Sequence, residues 1–292
     1  MSGFANISEY ASTDDLGQTW ITQFRKAVTS TATIANSCVD YTYFSGSPLA
    51  NFYASTPLES AYIDATRGIY LPSVSPLRQF LKEITVMTAA SSVAGQRQQM
   101  RLCDYLMYYP FIDTDSTDAQ DMIPVVTLPR YSSGRVIAIA QSASASIGQF
   151  TFSYTNQDGV SGRTSPNIFT QIVAGGGQSL TAFISGGGFH PFLPLQVGDS
   201  GVQSIESVTF TAVGGGLMAL VIVHPLRTFL LASECRGSAT ESFGAASNVT
   251  SIIHQAGAPE IKDGAILGFL AQANGGSLAS STLVGTIETV WN

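Results

Sequence analysis

The residues best placed to bind a metal ion form an acidic segment, DTDSTDAQD, that begins at Asp113 and ends at Asp121. Oxygen ligands at alternate positions suit a hard cation such as Ca²⁺ or Mg²⁺, and the segment begins like a calcium-binding loop. Its sixth position is Asp118, where the loop needs glycine, and its twelfth is Pro124, where the loop needs a bidentate glutamate. We therefore interpret residues 113–121 as a solvated acidic loop and predict no metal ligands, with an adventitious Ca²⁺ or Mg²⁺ site as the alternative.

Three Gly-Gly-Gly runs, at residues 175–177, 186–188 and 214–216, raise the question of a phosphate-binding loop. None is followed by Lys-Ser or Lys-Thr, and none precedes a convincing helix. The array of backbone donors that grips a phosphate is therefore missing. We interpret the runs as turns and predict no cofactor-binding residues.

No catalytic motif stands out among the nucleophiles, histidines and carboxylates. His190, His224 and His254 lack the spacing of a zinc motif, and the sequence contains neither a Gly-x-Ser-x-Gly elbow nor an HExxH helix. Glycosidase chemistry needs a close carboxylate pair, and nothing in the sequence pairs the acidic residues that follow residue 125: Asp158, Asp199, Glu206, Glu234, Glu241, Glu260, Asp263 and Glu288. We predict no catalytic residues and a non-enzymatic protein. A β-sandwich hydrolase whose triad forms only in three dimensions stays as an alternative.

The three cysteines, Cys38, Cys103 and Cys235, lie far apart and include no CxxC pair. An odd number without motif spacing does not indicate a disulfide framework. We expect buried, reduced thiols.

Apolar residues at helical spacing predict three helices before residue 125. Leu16, Trp20, Phe24 and Val28 recur every four residues, which predicts a helix over about residues 14–29. We expect Trp20 and Phe24 to anchor it in the core.

A second helix is predicted from Ser75, with Pro76 in its first turn and one apolar face made of Leu77, Phe80, Leu81 and Ile84. A third is predicted over about residues 96–109, with an apolar side made of Met100, Cys103, Leu106 and Met107. The aromatic-rich residues 31–73 read as extended strands or an arm.

From residue 135 onward the hydrophobic period becomes two, which indicates β-strands. Strands are expected over residues 135–141, 150–155, 179–185, 192–197, 207–213, 217–223, 265–272 and 282–291. The Gly214-Gly215-Gly216 run is expected to close a hairpin, and residues 156–159 to form a turn. Residues 217–223 are apolar throughout, so this strand should be central in a covered sheet. Trp291 indicates that the last strand is tied into a sheet.

These patterns predict a mainly β protein: a C-terminal β-sandwich or jelly-roll-like body over residues 126–292, with an α-containing N-terminal region over residues 1–125. We expect the N-terminal region to provide assembly contacts.

The charged fraction is 11% of the 292 residues, against about 25% in an ordinary soluble domain. Only Lys26, Lys82 and Lys262 are lysines. An exterior with so few charges suits permanent burial against partners, because charged residues are depleted from interface cores and help to keep monomers soluble. We expect association with other proteins and self-association into a homo-oligomer.

The net charge of −7 and the absence of a basic run argue against a nucleic-acid partner. The longest apolar stretch, residues 217–223, is far shorter than the roughly 20 residues of a membrane helix, so no membrane association is predicted. The N-terminus lacks the basic and apolar regions of a signal peptide, which predicts a protein that stays where it is synthesised.

Several short segments resemble virion structural proteins of tailed bacteriophages, in particular head-associated proteins of the decoration or cement kind. They are residues 154–164 (YTNQDGVSGRT), 198–210 (GDSGVQSIESVTF), 220–226 (LVIVHPL), 263–270 (DGAILGFL) and 288–291 (ETVW). The resemblance implies a structural component made in the bacterial cytoplasm and incorporated into the virion. It carries over no functional residues.

The leading hypothesis is therefore a capsid-associated decoration protein that stabilises the coat through contacts with the major capsid protein or other virion proteins. The alternative is a tail or baseplate protein with a carbohydrate-binding role. In that case exposed aromatic residues such as Tyr108, Tyr109 or Phe189 would act as sugar platforms.

Overall fold

The protein is built almost entirely from antiparallel β-strands, as seen in a computed structural model. The structure describes residue 4 and residues 7–28, 38–89, 98–183, 191–231, 258–273 and 281–292. Its strands, in chain order, are β1 (Thr19–Ala27), β2 (Cys38–Asp40), β3 (Ser45–Ser47), β4 (Ile69–Tyr70), β5 (Gln79–Ala89), β6 (Gln98–Asp113), β7 (Gln120–Asp121), β8 (Arg135–Ala140), β9 (Gln149–Asn156), β10 (Arg163–Thr164), β11 (Ile168–Thr170), β12 (Thr181–Phe183), β13 (Val202–Ala212), β14 (Leu217–Leu231), β15 (Glu260–Ile261), β16 (Ile266–Ala273) and β17 (Thr282–Trp291). The described helical segments are α1 (Ile7–Ala11) and a 3₁₀ turn (Tyr41–Tyr43).

These strands form three sheets. The first outer sheet has the order β15-β5-β17-β1-β3, and the second outer sheet has the order β12-β11-β9-β13-β7, with β10 beside β9. The central sheet has the order β2-β16-β6-β14-β8, with β4 beside β16. The predicted mainly β class is confirmed.

Both outer sheets pack against the same face of the central sheet. On β6, Leu102 lies in the core shared with the first outer sheet, and Leu106 lies in the core shared with the second. Side chains two residues apart point to one face of a strand, so Asp104 lies on that face between the two cores. The molecule is thus layered sheet on sheet, with a polar junction in the middle.

The central sheet closes on itself through residues 177–180. On the β2 side, Asp40 N donates to Gly177 O at 2.8 Å and Ser179 N donates to Cys38 O at 2.8 Å. On the β8 side, Ala140 N donates to Gln178 O at 2.8 Å. The two strands at the ends of the sheet are thereby linked, and the face turned away from the outer sheets packs on Tyr53, Ile63 and Phe192.

Several strand predictions are confirmed. Strand β14 lies between β6 and β8, and its residues 218–223 are buried on both faces, as expected for a covered central strand. Alternate residues of β9 are buried, and residues 156–159 form the predicted turn, with Gly159 at φ 78°. Trp291 is held in β17 opposite Gln79.

The helix predicted over residues 14–29 is wrong, because residues 19–27 form β1. A spacing of four keeps residues on one face of a strand as well as of a helix. Thr22 and Lys26 lie between the apolar residues on that face. Because both are polar, the apolar residues do not recur every second position, and the two-residue period of a strand is hidden. Phe24 is buried as expected, but Trp20 is 48% exposed.

The second and third predicted helices are also wrong, because they fall on β5 and β6. In β5 the register shifts opposite Glu288 and Thr289, so Lys82 is an extra residue. Leu81 and Ile84 then share a face although they are three residues apart, which imitates a helix. Strand β6 is buried on both faces from residue 100 to residue 110, and such a run has no two-residue period to detect.

The hairpin predicted around Gly214-Gly215-Gly216 is wrong. Strand β13 pairs with β9 and β7, whereas β14 pairs with β6 and β8, so the glycines carry the chain from one sheet to another. Positive φ values of 80° at Gly215 and 94° at Gly216 allow the sharp change of direction. The last two strands, β16 and β17, likewise lie in different sheets.

Two further segments differ from expectation. Residues 192–197 contain no strand, and the strand predicted over residues 179–185 is described only as β12. Residues 38–73 are not an arm, because Tyr41 and Tyr53 are buried in the body of the protein.

Strands from both sides of residue 125 share sheets. Strands β1 and β5 flank β17, and β6 lies between β14 and β16. In the described part of the chain, no helix has the length and apolar character needed to cross a membrane.

Candidate functional site

The edge of β1 is open along most of its length. Strand β17 pairs with β1 over residues 19–27, whereas β3 pairs with it only over residues 25–27. Within the described ranges, residues 19–24 therefore have a neighbouring strand on one side only. We call these six residues, TWITQF, the open edge.

The open edge has a fixed beginning and end. Before it, the chain turns at Gly17, which has φ 67°, and Gln18 N donates to Thr13 O at 2.8 Å. After it, β3 covers the strand from Arg25 onward. A partner strand could thus lie only along residues 19–24.

The side chains of the open edge are uncharged and partly apolar. Ile21 is 59% exposed, Trp20 is about half exposed, and the neighbouring Leu16 is also exposed. Trp20 Nε1 donates to Thr22 Oγ1 at 2.9 Å, which holds the indole along the strand. This segment offers unpaired backbone groups flanked by apolar surface, a combination suited to binding an additional strand.

All three lysines interact with groups of the same chain. Lys26 is buried, and its Nζ donates to the carbonyl oxygens of Leu49 at 3.0 Å and Phe44 at 3.2 Å. Burial lowers the pKa of Lys26 to about 8. The positive charge of Lys26 therefore adds nothing to the charge of the protein surface.

The other two lysines are held in ion pairs. Lys82 Nζ lies 2.7 Å from a carboxylate oxygen of Asp14 and 2.7 Å from one of Glu288. Lys262 Nζ lies 2.8 Å from Glu260. Neither Lys82 nor Lys262 is therefore an unpaired surface charge.

A buried carboxylate, Asp40, organises the face of the central sheet that lies away from the outer sheets. It accepts hydrogen bonds from Thr42 N at 2.9 Å, Thr42 Oγ1 at 2.7 Å, Tyr105 OH at 2.8 Å and Tyr53 OH. Burial raises the pKa of Asp40, and these donors act against that rise. The cluster ties β2 and β6 to the loop around Tyr53, and its complete burial gives it a structural role.

A second polar group lies at the junction between the two apolar cores. Arg130 holds Asp104 with two bonds, Nε to Oδ2 at 2.8 Å and Nη2 to Oδ1 at 2.7 Å, and Ile266 N donates to Oδ1 at 3.1 Å. Burial raises the pKa of Asp104, and the Arg130 guanidinium opposes this effect. Tyr131 stacks on His224 beside the pair.

A cavity of about 440 Å³ opens next to this junction, lined by Ser133, Gly134, Arg135, Phe192, Ser200, His224 and Pro225. The Arg135 guanidinium lies over the Phe192 ring, 5.7 Å from its centroid, and Nη1 donates to Ser200 O at 3.3 Å. Burial lowers the pKa of Arg135. The described lining residues include no carboxylate.

The acidic segment 113–121 is closed by its own hydrogen bonds. Gln120 Nε2 donates to Asp113 O at 2.7 Å, and Asp115 N donates to Asp113 Oδ1 at 2.8 Å. Across the described ranges, no group of three or more His, Cys, Asp or Glu side chains is arranged to hold a metal ion.

Two of the three proposed sugar platforms are not available on the surface. Tyr108 and Tyr109 are buried in the central sheet, so their prediction as exposed aromatic residues is wrong. The prediction of exposure failed because β6 is covered on both faces. Phe189 lies outside the described residues, as do His190 and His254.

The cysteines and glycine runs singled out in the sequence are part of the folded body wherever the structure describes them. Cys38 and Cys103 are buried free thiols, as predicted, and burial raises the pKa of Cys38 to about 11. Cys235 and the run at residues 186–188 lie outside the described residues. The glycine run at residues 175–177 lies in the segment that links β2 to β8, consistent with its interpretation as a turn.

Sequence reasoning missed Asp40, Arg130 and the open edge. Asp40 meets Tyr105, and Asp104 meets Arg130, across long stretches of chain, and no spacing pattern links these residues. Lys26 was the one residue whose position indicated a buried polar group. It lies two positions after the buried Phe24, on the same face of β1.

Comparison of the chain with protein-family models, curated proteins and solved structures finds no match.

Proposed function

We propose that this chain is a non-enzymatic structural subunit of a tailed-bacteriophage particle, a decoration or cement protein that stabilises the coat through protein-protein contacts. The observation that carries the proposal is that all three lysines are engaged with groups of the same chain, Lys26 by burial and Lys82 and Lys262 in ion pairs. In a chain with a charged fraction of 11%, this leaves an exterior made largely of uncharged side chains. Such an exterior favours contact with protein over contact with water.

The open edge adds a specific place for contact. Its free backbone groups and exposed Ile21 can receive a strand, and a long unprotected edge of this kind is rarely left exposed in a solitary protein. The partners proposed are the major capsid protein, other virion proteins and further copies of this chain. Neither nucleic acid nor membrane is included among them.

The proposed location on the phage head rests on a resemblance of short segments to head-associated proteins. These segments are residues 154–164, 198–210, 220–226, 263–270 and 288–291. A tail or baseplate station is the alternative for the same kind of subunit. The carbohydrate-binding form of that alternative has lost its two described candidates, because Tyr108 and Tyr109 are buried.

The test is quantitative mass spectrometry of purified particles from a phage that encodes this chain, followed by electron cryomicroscopy of the same particles. We expect many copies per particle and density on the outer surface of the coat. Absence of the chain from purified particles would overturn the proposal. A few copies confined to the tail would replace the head station with the tail station.

A further inference from the structure

We infer that two copies of this chain pair antiparallel through their open edges, about a two-fold axis at Ile21, so that the first outer sheet runs on from one copy into the next. This pairing names a partner for the proposed function. It rests on that function, because it requires the chain to act by associating with other subunits.

The direction of the backbone groups fixes which residues can pair. A side chain on Gly46 of β3 would collide with the carbonyl oxygen of Arg25, so that oxygen points to the β3 side of β1. On the opposite side, Trp20 O accepts a bond from Thr289 Oγ1 of β17 at 3.5 Å. Because backbone groups alternate along a strand, Thr19, Ile21 and Gln23 direct their N–H and C=O groups outward along the open edge.

These outward groups allow one centred register. A two-fold axis at Trp20 or Thr22 would pair only two of these residues on each chain within the open edge, whereas an axis at Ile21, the middle one, pairs all three. Thr19 then lies opposite Gln23 of the second copy, and Ile21 lies opposite Ile21. Three residues on each chain, each with one donor and one acceptor, give about six backbone hydrogen bonds.

The side chains fit this register. The two Ile21 side chains become cross-strand neighbours, so each covers apolar surface that is 59% exposed in the single chain. Trp20 lies opposite Thr22 of the second copy, and no charge is placed opposite a like charge, because residues 19–24 carry none.

The flanking charges are complementary. The same register places Arg25 of each copy opposite Gly17 of the other, in the turn that carries Asp14 and Asp15. Arg25 is exposed, and it forms no ion pair with any described residue. The pairing would thus bring an unpaired guanidinium toward an acidic turn at both ends.

The far edge of the same sheet shows the contrast. There β15 pairs with β5 only at residues 79–80, so most of β5 lacks a described neighbouring strand on that side. This edge carries charge, however: Glu260 on β15, Lys262 just after it, and Lys82 and Glu83 on β5. Charge is a usual protection of a sheet edge against further pairing. The open edge contains no charged residue, proline or glycine and so lacks this protection.

The test is disulfide trapping in the full chain with Cys235→Ser as background, since Cys38 and Cys103 are buried. Cα atoms of a hydrogen-bonded antiparallel pair lie about 5.5 Å apart, within reach of a disulfide. Ile21→Cys should therefore form a covalent dimer on mild oxidation. Gln23→Cys alone should form no covalent dimer, whereas a mixture of Gln23→Cys and Thr19→Cys chains should give the mixed covalent dimer.

A second measurement uses sedimentation velocity over a concentration series. Ile21→Lys places two ammonium groups side by side at the axis, and it should weaken self-association at least about tenfold. Val160→Lys, at another exposed apolar position in a turn, is the matched control and should associate like the parent chain. Unchanged thermal melting of both variants would show that each is folded.

The inference is overturned if the parent chain stays monomeric at all concentrations, if Ile21→Cys does not cross-link, or if Gln23→Cys cross-links equally well alone. Particles that contain many copies without this pairing would leave the proposed structural function standing. Paired chains that are missing from particles would remove the virion function and leave the pairing.

Discussion

Tyr131 lies flat against His224, with ring centroids 3.7 Å apart and ring planes 7° apart. The stack lies next to the buried pair of Asp104 and Arg130, where the two outer sheets meet the central sheet. Burial, together with the positive charge of Lys262, lowers the pKa of His224. Both effects favour the neutral form of this imidazole beside the junction.

Protonation of His224 should destabilise the protein. The imidazole in the unfolded chain has a pKa near its ordinary value of about 6.5, whereas the folded value is lower. The unfolded state then binds the proton more readily, so stability falls as the pH drops through about 6.5 toward the folded pKa. Urea unfolding at a series of pH values should show this loss, and His224→Gln should reduce it. An identical pH profile for the variant would assign the loss to other groups.

Removal of one partner from the buried ion pair should be costly. Arg130→Met leaves the Asp104 carboxylate buried with only the Ile266 amide as donor, and we expect a loss of about 3–5 kcal/mol in the free energy of unfolding. Arg78→Met breaks the pair with Glu260, but the Arg78 side chain is 53% exposed, so the loss should be much smaller. Denaturant titration of both variants provides the comparison. Equal losses would contradict the role assigned to the junction.

The hydroxyl groups of the tyrosines that bind Asp40 should contribute measurably to stability. Tyr105→Phe keeps the ring and removes one donor from a buried carboxylate, which should cost about 1–3 kcal/mol. Tyr62→Phe removes an exposed bond to Thr127 O and should change stability by less than about 0.5 kcal/mol. Thermal or urea unfolding would measure both, and a Tyr105→Phe chain as stable as the parent would contradict this account of the cluster.

The two aromatic residues of β1 should respond differently to truncation. Phe24 is 3% exposed and packs against Phe269 with ring centroids 4.8 Å apart, so Phe24→Ala should cost about 3–5 kcal/mol. Trp20 is half exposed at the open edge, and Trp20→Ala should cost less than about 1 kcal/mol in the isolated chain. The difference can be read from urea midpoints. Similar losses would place Trp20 in the core.

Sequence patterns predicted the strands of the second half better than those of the first. In β9, polar and buried residues alternate without exception, so the period of two is plain. In β1, the buried Lys26 occupies a core-facing position. This charged residue interrupts the alternation of polar and apolar residues by which a strand is recognised. In β6, burial on both faces removed any alternation, and length and local spacing alone could not separate strand from helix.

The polar clusters and the open edge depend on partners distant in sequence. Asp40 is bound by Tyr105, and Asp104 is bound by Arg130 and by the amide of Ile266. No spacing rule connects such residues, because sheet topology brings them together. The open edge likewise exists only because β3 is shorter than β1, a property of the pairing and not of either segment.

Strands β1 and β17 are neighbours along all of β1, although residues 28–281 lie between them in the chain. A nascent polypeptide therefore exposes β1 early and cannot give it this partner until residues 282–291 have left the ribosome. Until then the segment carries Trp20, Ile21 and Phe24 without that cover, which makes it a natural client for a chaperone. Completion of the first outer sheet is thus tied to the translation of residues 282–291.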